Sequence, residues 1–550
     1  MIKVLPNPLY YLDNFQQVLS WIAERYDDLL NDEERAFLAA FPTLPQASRA
    51  LLVRMVMRKG TLFRASKLVY AEIGSTHEAA RPLAALGLVE EDPLLTLDQL
   101  FELLQKPEVA QVFQLAQGEQ RSLRNLRKAE QLEALRPQYE GEHRFSGWFP
   151  ESGDHAYRIL AQPLCDRLRL IFFGNYHQDW TEFVLSDLGI YQYEKVEFSP
   201  AARGFRSRRD IDDYLELHRC RERFADGEAA ADVLRDLPPC APDNEWLLSR
   251  RARLVFQIAQ QLEKQQDWAA AHALFAACDY PGARARAIRV LEKDAQPGAA
   301  FALLQLAQAA PESEAERQQL LRIAPRLARK LGHARPSATT PAQAERIDLS
   351  LPLPAEASYV EFVVRDHLHS EQAPVYYVEN ALINSLFGLL CWDAVFSAIP
   401  GAFFHPFHRG PADLHSADFH RRRARQFEAC LAQLESGGYR ATIAANYAAK
   451  FNLQSPFVYW ETLDEELLAL ALDCIPPQHL RRAFERILLD VKANRSGFPD
   501  LIQFWPAERR YNMIEVKGPG DRLQDNQLRW IDYCAAHGMP VSVCYLQWAA

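Results

Sequence analysis

Three residues have the types and spacing to do chemistry together. Asp500 is followed fifteen residues later by Glu515, and Lys517 stands two beyond that. Two carboxylates supply hard oxygen ligands of the kind that Mg²⁺ and Mn²⁺ take. A divalent cation so held polarises a phosphoryl oxygen and makes water acidic enough to attack phosphorus. A nearby ammonium orients that water or offsets charge in the transition state. The set therefore suits metal-assisted hydrolysis of a phosphodiester. Taken alone it is a short pattern, and an Asp followed by Glu-x-Lys on a surface hairpin is more often a solvated ion pair.

The elements around these residues decide whether they can meet. Leu501-Ile502-Gln503-Phe504-Trp505 is apolar and aromatic enough for a strand, 506–510 has turn composition, and Tyr511 to Lys517 reads as a second strand. The pair predicts a hairpin. Alternation along a strand puts Glu515 and Lys517 on one face, with Asp500 at the start of the partner strand. Downstream, Asp521 is the expected N-cap of a helix that carries Leu528, Ile531 and Ala535, and Pro540 to Leu546 supply a further strand. Upstream, Val375 to Leu382 is expected to open a strongly apolar helix running to about Phe396, with Glu379 on the same face as Leu382, Ile383 and Leu386. A carboxylate buried there would need a partner, which a metal would supply. The alternative is an exposed Glu in a first helical turn, where it is favoured anyway. His405, His408, His415 and His420 are spaced temptingly for zinc, but Pro406, Gly410 and Pro411 among them predict a flexible polar loop, and no metal is assigned there.

Gly497-Phe498-Pro499-Asp500-Leu501 and Glu515-Val516-Lys517-Gly518-Pro519-Gly520-Asp521-Arg522-Leu523, followed by Gln527, resemble the virus-type replication-repair nuclease (VRR-NUC) domain of the PD-(D/E)xK superfamily. With the rest of the chain, the sequence is similar to bacterial members of the Fanconi-associated nuclease family. The resemblance implies metal ligands at Glu379, Asp500 and Glu515, a further ligand in the Val516 carbonyl, and a catalytic Lys517. Glu379 enters this set by its place ahead of Leu386-Phe387-Gly388-Leu389-Leu390-Cys391-Trp392-Asp393. Arg522 and Gln527 match motif positions that support substrate or metal. The implied cofactor is Mg²⁺ or Mn²⁺, as two ions. The implied activity is a phosphodiesterase acting as 5′-flap endonuclease and 5′→3′ exonuclease on branched or 5′-flap DNA. Its setting would be DNA repair, including repair of interstrand crosslinks, with repair-protein partners. One position departs from the pattern: a lysine present in some relatives just before the motif Gln is Asn526 here.

The fold class expected is multidomain: mainly α N-terminal regions, then a C-terminal α/β restriction-endonuclease-like nuclease domain. Residues 1–92 read as a helical DNA-binding domain, and 93–240 as a SAP-like module with a connecting α/β region. Residues 241–340 read as TPR-like helices, and 341–550 as the nuclease domain. Arg121, Arg124 and Lys128 fall on one stripe at helical spacing and are expected to track phosphates; a solvated charged helix has the same composition. Leu168 to Asn175 reads as a buried strand, and the arginines between 203 and 223 are interleaved with Asp and Glu that can pair with them. Segments near 246–264, 267–279, 282–293, 298–309 and 313–332 are helix-length, with a short strand expected at Ile347 to Leu349. Arg253, Arg286 and Arg289 on those helices fall where the resemblance places a 5′-phosphate pocket. Pairing with Glu245, Glu263 and Glu292 is the alternative.

The formal net charge of −10 over 550 residues excludes a uniformly basic nucleic-acid-binding protein, so any DNA site must be a local patch. Nine cysteines without a Cys-x-x-Cys suggest free thiols in a reducing compartment. The first residues carry no signal-peptide pattern and no apolar run reaches membrane-spanning length, so the expected location is the bacterial cytoplasm, with nucleoid-associated function and no membrane. Two other functions stay open at this level. The helical repeats would also suit a scaffold that recruits repair partners, and a nuclease of this type would also suit a symmetric four-way-junction resolvase.

Overall fold

The computed structural model describes residues 7–115, 123–180, 182–183, 191–197, 203–333, 344–354, 358–416 and 418–549. It divides into two compact units, Met1–Tyr191 and Gln192–Ala550.

In the first unit, helices Tyr10–Tyr26, Gln46–Val56 and Thr76–Ala85 bury an apolar stripe that includes Phe15, Val18, Ile22, Leu52 and Leu83. A three-stranded antiparallel sheet completes this region. Its central strand, Ala156–Ile159, lies between Leu62–Arg64 and Val89–Glu91. The strands Leu62–Arg64 and Val89–Glu91 were not expected in a region read as helical; each is three residues in a chain stretch with no clear period-two pattern. Thr96 and Gln99 form a capping box at Leu97–Leu103, satisfying two of the amides that a helix start leaves unpaired. Leu168 to Asn175, expected as a strand, belongs instead to the helix Gln162–Phe173. Leu164, Leu168 and Ile171 recur at helical spacing, Pro163 suits the first turn, and Gly174 ends the helix at φ +67°. The run of apolar residues had hidden the period.

The second unit opens with Arg208–Ala225, capped by Ser207. As the interleaved charges suggested, Arg208 pairs with Asp212 and Arg219 with Glu216, while Arg223 reaches beyond the run to Glu228 and Asp236. Five helices follow as stacked antiparallel neighbours: α1 (Glu245–Lys264), α2 (Trp268–Ala276), α3 (Ala283–Lys293), α4 (Pro297–Ala309) and α5 (Glu314–Lys330). They lie close to the five expected segments.

The C-terminal region is built on a five-stranded mixed sheet. Its strands are β1 (Glu345–Pro352), β2 (Val375–Tyr377), β3 (Leu501–Trp505), β4 (Arg510–Lys517) and β5 (Val541–Ala549), in spatial order β1-β5-β4-β3-β2. The β3–β4 hairpin is antiparallel with Leu501 opposite Ile514 and Trp505 opposite Arg510; β5 runs parallel to β4 and to β1. β1 is longer than the three residues expected. One face of the sheet carries Leu501, Ile514, Val516 and Cys544, covered by α6 (Val360–Leu368). The other carries Ile502, Phe504, Met513 and Val543 and packs on α7 (Leu382–Leu390) and α8 (Asp525–Ala536). Helix α8 begins at Asp525 after Gln524; Asp521, expected as its cap, instead accepts from the Gly518 amide at 3.1 Å.

The repeats are fastened to this sheet's helices. Arg486, buried over the rings of Trp530 and Tyr533, pairs with Glu314 of α5 at 2.6 Å. Arg322 of α5 donates to Asp525 at 2.6 Å, and Arg529 donates to Gln318 at 2.8 Å. Among the described residues no helix is long and apolar enough to cross a membrane, and the nine cysteines are unpaired.

Candidate active site

The hairpin register decides the geometry. With Leu501 opposite Ile514, Asp500 falls beside Glu515, and alternation sends both to the face that α7 covers. Asp500 Oδ2 accepts from the Val516 amide at 2.8 Å. Lys517 Nζ lies 2.7 Å from Glu515 Oε1. Glu515 is 0 % exposed, Asp500 6 % and Lys517 8 %. This is not the solvated surface pair that the short motif allowed.

Val375–Tyr377 is strand β2, hydrogen-bonded to β3, and not the start of a helix as expected. β-branched and aromatic residues at 375–377 favour the strand, and Asn380 at φ +53° breaks the chain before α7 begins. Glu379 therefore sits in the turn between β2 and α7, off any helical face. Its carboxylate accepts from the Tyr377 hydroxyl at 2.6 Å and from Asn380 Nδ2 at 3.1 Å. The Val378 amide donates to the Asp500 carbonyl at 2.8 Å, so the turn runs beside the Asp500 backbone.

Two asparagines that the sequence reading passed over hold this turn. Asn380 Oδ1 accepts from the amides of Gly497 and Phe498, at 2.7 and 3.1 Å. Asn384, fully buried, donates to the carbonyls of Asn380 and Arg495. The Glu379 turn and the Gly-Phe-Pro-Asp turn are thus tied by side chains. An Asn directly after a Glu on a strand-to-helix turn was the available signal, since Asn tolerates left-handed backbone. Gly497 needs its own freedom: at φ +95° an added Cβ would lie 2.7 Å from the Asn526 backbone.

Burial and mutual repulsion shape the charges. Burial pushes the Asp500 carboxyl up to about 6, against the Val516 amide and Lys517. Glu515 is pushed up to about 8 by burial and by the neighbouring Asp500, with Lys517 opposing. The Glu379 charge raises both. Neither oxygen of Glu515 receives a well-formed hydrogen bond. Among the described residues, no group of three His, Cys, Asp or Glu side chains stands close enough together to hold a metal ion as arranged. Two buried carboxylates with open lone pairs and a third acidic group beside them nonetheless fit a hard divalent cation, which would relieve both repulsion and missing donors.

One consequence concerns the protein in chelator. A carboxyl whose folded pKa is raised stabilises the fold fully below its unfolded value, and this contribution is lost as pH rises through the folded value. For Glu515 that window runs from about 4.5 to about 8. In EDTA, Glu515→Gln is expected to match the wild-type melting temperature near the bottom of the window and to exceed it increasingly above. A difference independent of pH would mean the carboxyl is solvated.

Other expected positions are scattered. Arg522 is exposed just before α8, and Gln527 accepts from the Gln524 amide in the helix's capping box. Arg286 and Arg289 of α3 share Glu263, each at 3.0 Å. They line a cavity of about 450 Å³ with Arg322 and Arg326, which the sequence reading did not bring there. Arg253 is exposed on α1 and is not among the residues lining that cavity. Arg121 lies outside the described residues, Arg124 is in a short 3₁₀ turn, and Lys128 starts the helix Lys128–Leu135. The single helical stripe expected for these three is thus interrupted at residue 126, where the chain bends. The histidine loop is corrected in part: His405 is buried and His408 half-buried, their ring centroids 4.0 Å apart, and they accept from the amides of Phe407 and Phe404, while His415 and His420 are exposed.

The comparisons agree with the geometry. Residues 9–90 match the family described as "FAN1, HTH domain", 94–148 the "Fanconi anemia-associated nuclease SAP domain", and 434–548 the "VRR-NUC domain". The chain is 57 % identical to the Fanconi-associated nuclease 1 homolog of Pseudomonas aeruginosa, over 99 % of this chain and 97 % of that protein. A crystal structure of paFAN1 bound to DNA with a 2-nucleotide 5′ flap and a gap superposes with a TM-score of 0.94 at 57 % identity, covering 100 % of both chains. A second, bound to DNA with a 1-nucleotide 5′ flap and a gap, gives 0.91 over 99 % of this chain and 100 % of that one. A nuclease domain of this kind works with a divalent metal. The chain belongs to the Fanconi-associated nuclease family.

Proposed function

We propose that this nuclease is a 5′-flap endonuclease and 5′→3′ exonuclease acting on branched DNA in repair, including repair of interstrand crosslinks. The observation that carries the catalytic half is the burial of Asp500 and Glu515 on one sheet face with Lys517 at 2.7 Å from Glu515. Glu379, Asp500, Glu515 and the Val516 carbonyl would hold Mg²⁺ or Mn²⁺, as two ions. When bound, the ions supply Lewis-acid activation of the phosphate and of water. Lys517 orients the attacking water and offsets charge on the phosphorane-like transition state. The Val516 amide fixes the Asp500 carboxylate, and Asn380 keeps the Glu379 turn in register with it. Arg522 and Gln527, at the approach to α8, support the substrate.

The working division is a DNA-binding arm over 1–92, a SAP-like module and connecting region over 93–240, a helical scaffold over 241–340 and the catalytic domain over 341–550. Within the SAP-like module Arg121, Arg124 and Lys128 contact DNA backbone. The scaffold's cavity supports a place for the 5′ end. Arg286, Arg289, Arg322 and Arg326 face it, and guanidiniums grip a terminal phosphate in bidentate fashion. Their partners are Glu263, Asp525 and Glu292, so four guanidiniums meet three carboxylates. Arg253 belongs to the approach rather than the cavity wall.

The deciding experiment is a cleavage assay on end-labelled single strands, duplexes, 5′ and 3′ flaps and four-way junctions, with and without Mn²⁺. Preference for the 5′ flap is expected; equal cutting of all forms, or symmetric cutting of the junction alone, would overturn the reading. On the same substrates, Arg286→Ala with Arg289→Ala is expected to slow cutting of one-nucleotide 5′-phosphorylated flaps about tenfold or more, the scale of losing one charged hydrogen bond at 1.5–3 kcal/mol. Long flaps should change little. If the double variant keeps the wild-type preference for a 5′ phosphate, the cavity is not the end-binding site.

A further inference from the structure

Beside the catalytic centre, on the α6 side, runs a row of aromatic rings that takes no part in holding metal or phosphate. Tyr377 donates its hydroxyl to Glu379. Its ring meets Phe362 edge-on, centroids 5.2 Å apart, and Phe362 meets Tyr359 in the same way at 5.9 Å. The row therefore begins at Glu379 and leads outward. It ends on Tyr359, 74 % exposed although tyrosine carries a ring that normally seeks cover. Arg365 stacks its guanidinium over Phe362 at 4.9 Å while pairing with Asp366.

Two observations place this row at the reacting centre and not elsewhere on the surface. Val360, next to Tyr359, packs so closely on Gly518 that a Cβ added to Gly518 would stand 3.2 Å from its methyl; Gly518 directly follows Lys517. The second is the hydroxyl contact to Glu379 itself. A tyrosine needed only to cover Phe362 would be buried. An exposed ring backed by a second ring, with an arginine at its side, is the composition that stacks nucleobases.

We propose that Tyr359, backed by Phe362, is a stacking shelf for the nucleobase next to the scissile phosphate, holding the unpaired strand as Lys517 and the carboxylates act on it. Every base offers a π-face, so the shelf is indifferent to sequence. It rests on the reading of this protein as a flap-cutting nuclease. Because stacking holds substrate and transition state alike, it acts on KM more than on kcat.

The test uses the full chain and a 5′-flap duplex with 2-aminopurine beside the cleavage position, bound in EDTA so that it is not cut. Wild type is expected to quench the fluorescence on binding. Tyr359→Ala should leave it bright and, with Mn²⁺ restored, raise KM about 5- to 100-fold with kcat nearly kept, the range of one lost base–aromatic stack. Tyr359→Trp should restore both. Melting curves of the alanine variant should match wild type, because the side chain is exposed. Equal quenching and equal KM in wild type and Tyr359→Ala would remove the shelf while leaving the flap reading intact. A wild type that shows no flap preference would instead remove the reading on which the shelf depends.

Discussion

Asp500→Ala, and separately Glu515→Ala, are expected to bring DNA cleavage below detection while the protein still binds 5′-flap DNA. Both carboxylates are buried on one face of the sheet, and with Glu379 they crowd acidic groups together, opposed by Lys517 and by the Val516 amide. Such a site is built to be completed by a cation. Removing either carboxylate takes away a hard ligand that no nearby side chain can replace, so the loss should be near total and not graded. The two variants should differ in stability. Asp500→Ala frees the Val516 amide and lowers the melting temperature; Glu515→Ala removes a carboxyl whose oxygens lack well-formed hydrogen bonds. EDTA should reproduce the loss in wild type. Full activity in either variant, or in chelator, would end the assignment.

Lys517→Ala is expected to slow cleavage by roughly 10²–10⁴, the scale of losing one acid–base or charge-stabilising group. Binding of Mn²⁺, followed by calorimetry, should persist, because Lys517 is not among the proposed ligands. The side chain reaches Glu515 along the strand, with Tyr545 of β5 opposite Lys517 at the end of the ladder. Its removal leaves the carboxylates in place but without the group that orients water. Arginine should rescue poorly, since its planar fork does not reproduce a compact ammonium. A variant that cuts at the wild-type rate would make Lys517 a structural counter-charge only.

The part of this site that strand physics governs was legible in the sequence. Alternation in a hairpin is a local rule, and it placed Asp500, Glu515 and Lys517 together before any tertiary contact was known. Glu379 was legible as a residue but not in its setting. Three residues of strand β2 and one left-handed Asn precede α7, and the apolar run that continues into the helix concealed both. The repeat helices were readable because each has its own amphipathic length. What the sequence could not show was which distant segments meet. Pairing of the α3 arginines with Glu263 stood among the alternatives and is what Arg286 and Arg289 do, but that Arg322 and Arg326 complete their cavity and that Asn380 bridges two turns over a hundred residues apart are facts of packing. Pro and Gly rightly signalled a loop around His405 and His408, but aromatic neighbours pack it down there, which composition did not show.

The fastening of α5 to the catalytic helices has a consequence for modular inheritance. Arg486 is 3 % exposed and has Glu314, outside the nuclease domain, as its carboxylate partner. A catalytic domain cut free near residue 340 would lose the carboxylate that Arg486 faces beside Trp530 and Tyr533, and would bare Asp525 and Arg529 as well. Glu314 is partly exposed, so the ion pair alone contributes modestly; the loss is that of the whole set of contacts to α5. The nuclease is therefore not a portable cassette. Recombination that moved it to a new neighbour would have to carry α5 along or first neutralise Arg486, so scaffold and blade should travel through descent as one piece.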